Sequence, residues 1–72
     1  MKELNMQLHQ LARLLENSTI GIHKAYYIIF SDYPTVSSLN YVLDNMYKTE
    51  YRDSGVLYTK LIRLIMKLNK EQ

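Results

Sequence analysis

The sequence predicts a small all-α domain of three to four helices, a helix-loop-helix plan that closes as a helical-bundle dimer. Three observations predict it. Leucines recur at helical spacing in the first and last segments. The segment richest in β-branched and aromatic residues has no second strand to pair with. Polar or proline-bearing breaks divide the apolar runs into four pieces.

In the first segment Leu4, Leu8, Leu11 and Leu15 fall at spacings of four, three and four, which aligns them on one helical stripe. Asn17, Ser18, Thr19 and Gly21 end it. The second segment, Ile20–Phe30, reads IGIHKAYYIIF. Period alone does not separate a short buried helix from a strand here, but Ala25 with Ile22, Ile28 and Ile29 forms a helical face. Helix is therefore the expectation. Ser31-Asp32-Tyr33-Pro34 breaks it, because the residue before a proline avoids the α region.

The third helix is expected from Thr35 to about Thr49, on the stripe Val36, Leu39, Leu43 and Met46 with Tyr47 at its edge. Glu50–Gly55 is a polar turn in which Asp53 or Ser54 can cap the next helix, since either side-chain oxygen can accept an orphan backbone N–H. The fourth helix, over 55–70, has the clearest pattern. Leu57, Leu61, Leu64 and Leu68 form one stripe widened by Ile65, and Lys60, Arg63, Lys67 and Lys70 gather on the opposite side. The first and last segments share a leucine heptad that suits helix–helix packing. Leu8, Leu11, Leu15, Leu39, Leu43 and Met46 are the expected core or dimer residues.

Seventy-two residues allow a single domain, 1–72, and so short a chain buries only about 60% of its unfolded surface. There is no cysteine to form a disulfide, and 47% of the residues are apolar or aromatic. Oligomerisation is the remaining way to bury them, so a homodimer is expected. Met1–Glu16 contains no uninterrupted apolar stretch of the signal-peptide kind, and no run nears the roughly 18 apolar residues of a spanning helix, so no membrane role is expected.

The net charge of +2 is unevenly placed. Met1–Asn17 is balanced. Ser18–Asp53 sums to −1, and Ser54–Gln72 sums to +3, from Lys60, Arg63, Lys67 and Lys70 against Glu71. A basic segment of this kind favours an acidic partner surface.

Little else in the sequence suggests chemistry. His9 and His23 lie in different segments, neither with a second metal ligand at helical spacing, and Gly21 and Gly55 are the only glycines, so no phosphate-binding loop exists. No catalytic residue, cofactor, metal or small-molecule ligand is expected. The seven tyrosines could stack on bases, but they lie beside apolar helical positions and fit a core edge or a protein interface. The alternative to a protein-binding module is a small helix-turn-helix DNA-binding regulator, on the stretch AYYIIFSDYPTVSSLNYVL. Its second helix offers Ser37, Ser38 and Asn40 but no Arg or Lys before Lys48, which disfavours nucleic acid.

The segment LYTKLIRLIMKLNKEQ resembles the C-terminal, coat-binding element of phage internal scaffolding proteins. In size and layout the whole chain resembles the capsid-morphogenesis B proteins of staphylococcal pathogenicity islands. That family's short Arg-aliphatic-aliphatic-Lys element corresponds to Arg63-Leu64-Ile65-Met66-Lys67, with one more residue between the cations. The resemblance implies a dimeric internal scaffold in the bacterial host cytoplasm, inside assembling procapsids, that redirects a phage major capsid protein into a smaller shell. It also implies coat-protein contacts through Lys60, Arg63, Leu64, Ile65, Lys67, Leu68 and Lys70.

Overall fold

The first leucine stripe folds as α1, Lys2–Glu16, with Glu3 near its positive N-terminal end and Arg13 in its last turn, where the helix dipole favours a cation. A computed structural model describes residues 2–71 of the chain. Three further α-helices follow: α2 (Ile22–Phe30), α3 (Val36–Asn45) and α4 (Gly55–Lys70), with one 3-10 turn at Met46–Lys48 between the last two. Among the described residues there is no strand.

The ambiguous second segment is helical, but it starts two residues later than its composition implies. Gly21 stands at the N-cap in extended conformation, without a side chain to cap α2. At the other end Ser31 closes the helix in the left-handed region at φ 55°, a conformation that costs a non-glycine residue about 1–2 kcal/mol. Three residues later Pro34 is buried, and the Thr35 hydroxyl accepts a hydrogen bond from the Ser38 amide to start α3. α4 begins the same way, with the Ser54 hydroxyl accepting from the Leu57 amide. Of the two capping candidates there, Ser54 is the one used.

α1 packs against α2, α3 against α4, and α2 against α4. The stripes of α1 and α4 therefore do not form a private pair, although both feed one core. That core holds Leu4, Leu8 and Leu11 of α1, Ala25 and Tyr26 of α2, Leu39 and Val42 of α3, Met46, and Leu57, Leu61 and Leu64 of α4. Each fully buried leucine contributes about 1.5–3 kcal/mol relative to exposure.

Two expected core residues sit at its margin. Leu43 is half-buried, and Val42 takes the inward position. The inward set of α3 is thus 39, 42 and 46, a rotation of one residue from the set 39, 43 and 46; both spacings are helical. Leu15 is also half-buried, in the last turn of α1 beside the start of α4. The third helix ends earlier than expected, at Asn45, whose side-chain amide donates to the Tyr41 carbonyl at 2.8 Å and competes with the next helical bond.

Candidate partner-binding surface on α4

α4 has two faces with different occupations. Leu57, Leu61 and Leu64 are buried, and Ile65 and Leu68 are half-buried against the core. This corrects the assignment of Leu64 to a partner contact: at 2% exposure it is already packed within the chain. A domain this small needs the one leucine stripe of its last helix to close its own core. Ile65 and Leu68 have only their outer edges to offer.

The exposed face is built from other residues. Val56, Thr59, Lys60, Arg63, Met66, Lys67 and Lys70 are all exposed, at steps of three and four that keep them on one side of the helix. The row spans about 21 Å at 1.5 Å per residue. Its apolar members are more exposed than any leucine of the helix, Val56 at 72% and Met66 at 59%. Apolar content that reads as the C-terminal helix's contact face is thus supplied by Val56 and Met66, outside the leucine pattern. Their positions seven residues from Arg63 and Thr59 respectively are the only sequence signal that could have found them.

Two shallow hollows lie along this face. One, of about 550 Å3, is lined by Val56, Thr59, Lys60 and Arg63, and the other, of about 270 Å3, by Arg63, Met66, Lys67 and Lys70. Arg63 borders both. Among the described residues no side chain forms an ion pair with Lys60, Arg63, Lys67 or Lys70; the ion pairs present are His9–Glu50 and Arg52–Asp53. No acid occurs within α4. Glu16 lines the same small cleft as Lys60, and Glu71 follows Lys70 at the C-cap, so the positive field is least opposed over Arg63.

The helix-turn-helix candidate reads differently in three dimensions. α2 and α3 are joined by 31–35, and the exposed side chains of α3 are Ser37, Asn40, Tyr41 and Asp44, with no cation among them. Lys24 is the one cation on α2, whereas α4 carries four.

The structure also joins residues that the sequence keeps 41 positions apart. His9 Nε2 donates to the Glu50 carboxylate at 2.6 Å, and the Tyr51 hydroxyl hydrogen-bonds to His9 Nδ1 at 2.7 Å. The carboxylate can only accept, which places the ring proton on Nε2. Asn5 Oδ1 accepts from the Glu50 amide at 2.8 Å. An acid, an imidazole and a hydroxyl in a row have the outline of a catalytic relay. Burial, with the Glu16 and Glu50 carboxylates, pushes the Tyr51 phenol above its ordinary pKa, against a smaller lowering by Arg13. The cluster fastens the 49–54 turn, and with it the start of α4, to α1. His23 lies beside Tyr33, and among the described residues no group of three His, Asp or Glu side chains converges as a metal site would require.

A cleft of about 580 Å3 opens between the starts of α1 and α3 and the end of α2, over Tyr26, Phe30 and Tyr41. The Tyr26 and Ser38 hydroxyls at its base hydrogen-bond to each other, so neither is left waiting for a ligand. No described helix is long and apolar enough to cross a membrane. No protein family matches the chain, and neither curated proteins nor solved structures show significant similarity to it.

Proposed function

We propose that the protein is a non-enzymatic binding module that lays the exposed face of α4 on an acidic surface of a larger protein. One observation carries this reading: Lys60, Arg63, Lys67 and Lys70, without an ion pair among the described residues, stand on one side of a helix that contains no acid, around two hollows that share Arg63. Solvated faces commonly mix signs in Glu–Lys pairs four residues apart; here the one acid at that spacing, Glu71 four residues after Lys67, stands at the C-cap, and none lies within the helix. Arg63 is the central anchor, because its planar fork can hold a carboxylate through two bonds. Met66 and Val56 supply apolar contact, and the cations supply orientation and association rate.

The resemblance to phage scaffolds names a concrete partner, the major capsid protein, and a role, redirecting assembly to a smaller shell. Modest exposed charge contacts of about 0–1 kcal/mol each suit a module that must bind many copies and then leave. Arg63→Glu combined with Lys67→Glu should leave helicity unchanged and abolish co-purification with coat protein and the formation of small shells. Normal assembly by that folded variant overturns the reading. Salt-sensitive binding to random duplex DNA that the same variant loses would assign the face to nucleic acid instead.

A further inference from the structure

The exposed face of α4 continues onto α1. Val56 and Lys60 line the hollow that Arg63 borders, and both also line a narrower cleft, of about 240 Å3, between the end of α1 and the start of α4. Three hollows thus follow one another along α4, joined first by Arg63 and then by Val56 with Lys60. The third differs from the other two in chemistry. It is lined by buried Leu57, by half-buried Ala12, Leu15 and Tyr51, and by Val56, whose 72% exposure is the highest of any large apolar side chain among the described residues. Its hydroxyls are already engaged, that of Tyr51 with His9 Nδ1 and that of Ser54 with the Leu57 amide. Glu16 and Lys60 are the exposed charges beside it, neither in an ion pair among the described residues.

We infer that an acidic segment of the partner protein runs along α4 and seats one large aliphatic or aromatic side chain in the cleft between α1 and α4. The inference rests on the reading of α4 as the partner-binding face, and it adds α1 to that face. Size decides against a small-molecule ligand, since about 240 Å3 falls below the roughly 300–1,000 Å3 of such sites. Polarity decides for an apolar side chain: a polar group buried there would give up water and find the cleft's own hydroxyls occupied. Charge sets the direction of the segment. Its carboxylates are drawn to Arg63, where the positive field is least opposed, and Glu16 repels them from the cleft, so the apolar anchor lies at the end away from the acids. Val56 and Arg63 are seven residues apart, about 10.5 Å along the helix. About three residues of extended partner chain cover that distance. The arrangement also gives Leu15 a use. Leu4, Leu8 and Leu11 of the same stripe are buried in the core, whereas Leu15 keeps a side open to the cleft.

Calorimetric titration of the full chain with coat protein tests it. Ala12→Leu fills the cleft from α1 with another strong helix former. It should keep wild-type helicity and weaken coat-protein binding about tenfold or more, as blocking the pocket of a binding hot spot does. The dependence of affinity on salt should stay that of wild type, because the cations still meet the partner, whereas Arg63→Ala should flatten it. A second measurement does not depend on how Ala12→Leu folds. The chain has no cysteine, so Glu16→Cys offers a single thiol beside the cleft for a polarity-sensitive dye, whose emission should move to the blue when coat protein binds. A folded Ala12→Leu variant that binds as tightly as wild type overturns the inference and leaves the reading of α4 standing. So does a dye at position 16 that is unmoved while coat protein binds. A wild-type chain that does not bind coat protein overturns both.

Discussion

The outer faces of α2 and α4 both present large apolar side chains to solvent, and they differ in how charge is set around them. On α2, one cation and one anion flank Tyr27 and Ile28; on α4, four cations and no anion flank Val56 and Met66. Exposed apolar area alone does not say what covers it. A row of one sign favours a surface of the opposite sign, whereas a mixed pair sets no such preference. Charge placement thus distinguishes two faces of one small domain that exposed apolar area alone would leave alike.

Both faces rest on one shared core. Leu61 is fully buried on the inner side of α4. Leu61→Ala should cost about 2–5 kcal/mol by chemical denaturation and should weaken both faces together. Met66→Ala, on the outer side, should change stability by no more than about 0.5 kcal/mol while weakening partner binding. Equal stability losses for the two would show that α4 is not divided into a structural and a docking side.

A smaller effect probes the ground under α2. Tyr26 is buried directly beneath that helix's outer face, stacked on Phe30 with ring centroids 4.3 Å apart. Burial raises its phenol pKa above 10.0; the Ser38 hydrogen bond lowers it by less, and the Asp32 charge raises it further. The native state therefore holds this proton more tightly than the unfolded chain does. Its contribution is whole below the unfolded pKa and is lost as pH rises from 10.0 through the higher native value. Tyr26→Phe should cost about 1 kcal/mol near neutral pH, for the hydrogen bond, and should lose less stability than wild type between neutral pH and the alkaline range. Parallel alkaline declines in the two proteins would place the sensitivity elsewhere, Tyr51 being the other raised phenol.

The sequence carries the helices because their signals are local. Leu4 to Leu15 and Leu57 to Leu68 state their period outright, and Ser54 and Ser31–Pro34 mark starts and stops within a few residues of chain. Phase is less legible where apolar residues are adjacent: Val42 and Leu43 are both good candidates for the inward position, and only packing against α4 chooses. Pairing is not legible at all, since a leucine stripe does not record which neighbour it meets. The same limit hid the residues that α4 leaves exposed. Leu64 belongs to the basic helix by sequence and to the core by packing, whereas Val56 and Met66, outside the repeat, are the residues left in solvent. The contact of His9 with Glu50 and Tyr51 spans more than half the chain, and nothing near any of the three residues announces it.

The assignment of the α4 face to an acidic partner is tested most directly by lysine footprinting. The whole chain would be acetylated at limiting reagent in the absence and presence of coat protein, and modification read at each lysine by mass spectrometry. Lys60, Lys67 and Lys70 should be protected by the partner, while Lys24 and Lys48 keep the reactivity they have without it. Protection spread evenly over these five lysines, or confined to Lys24 and Lys48, would contradict the account.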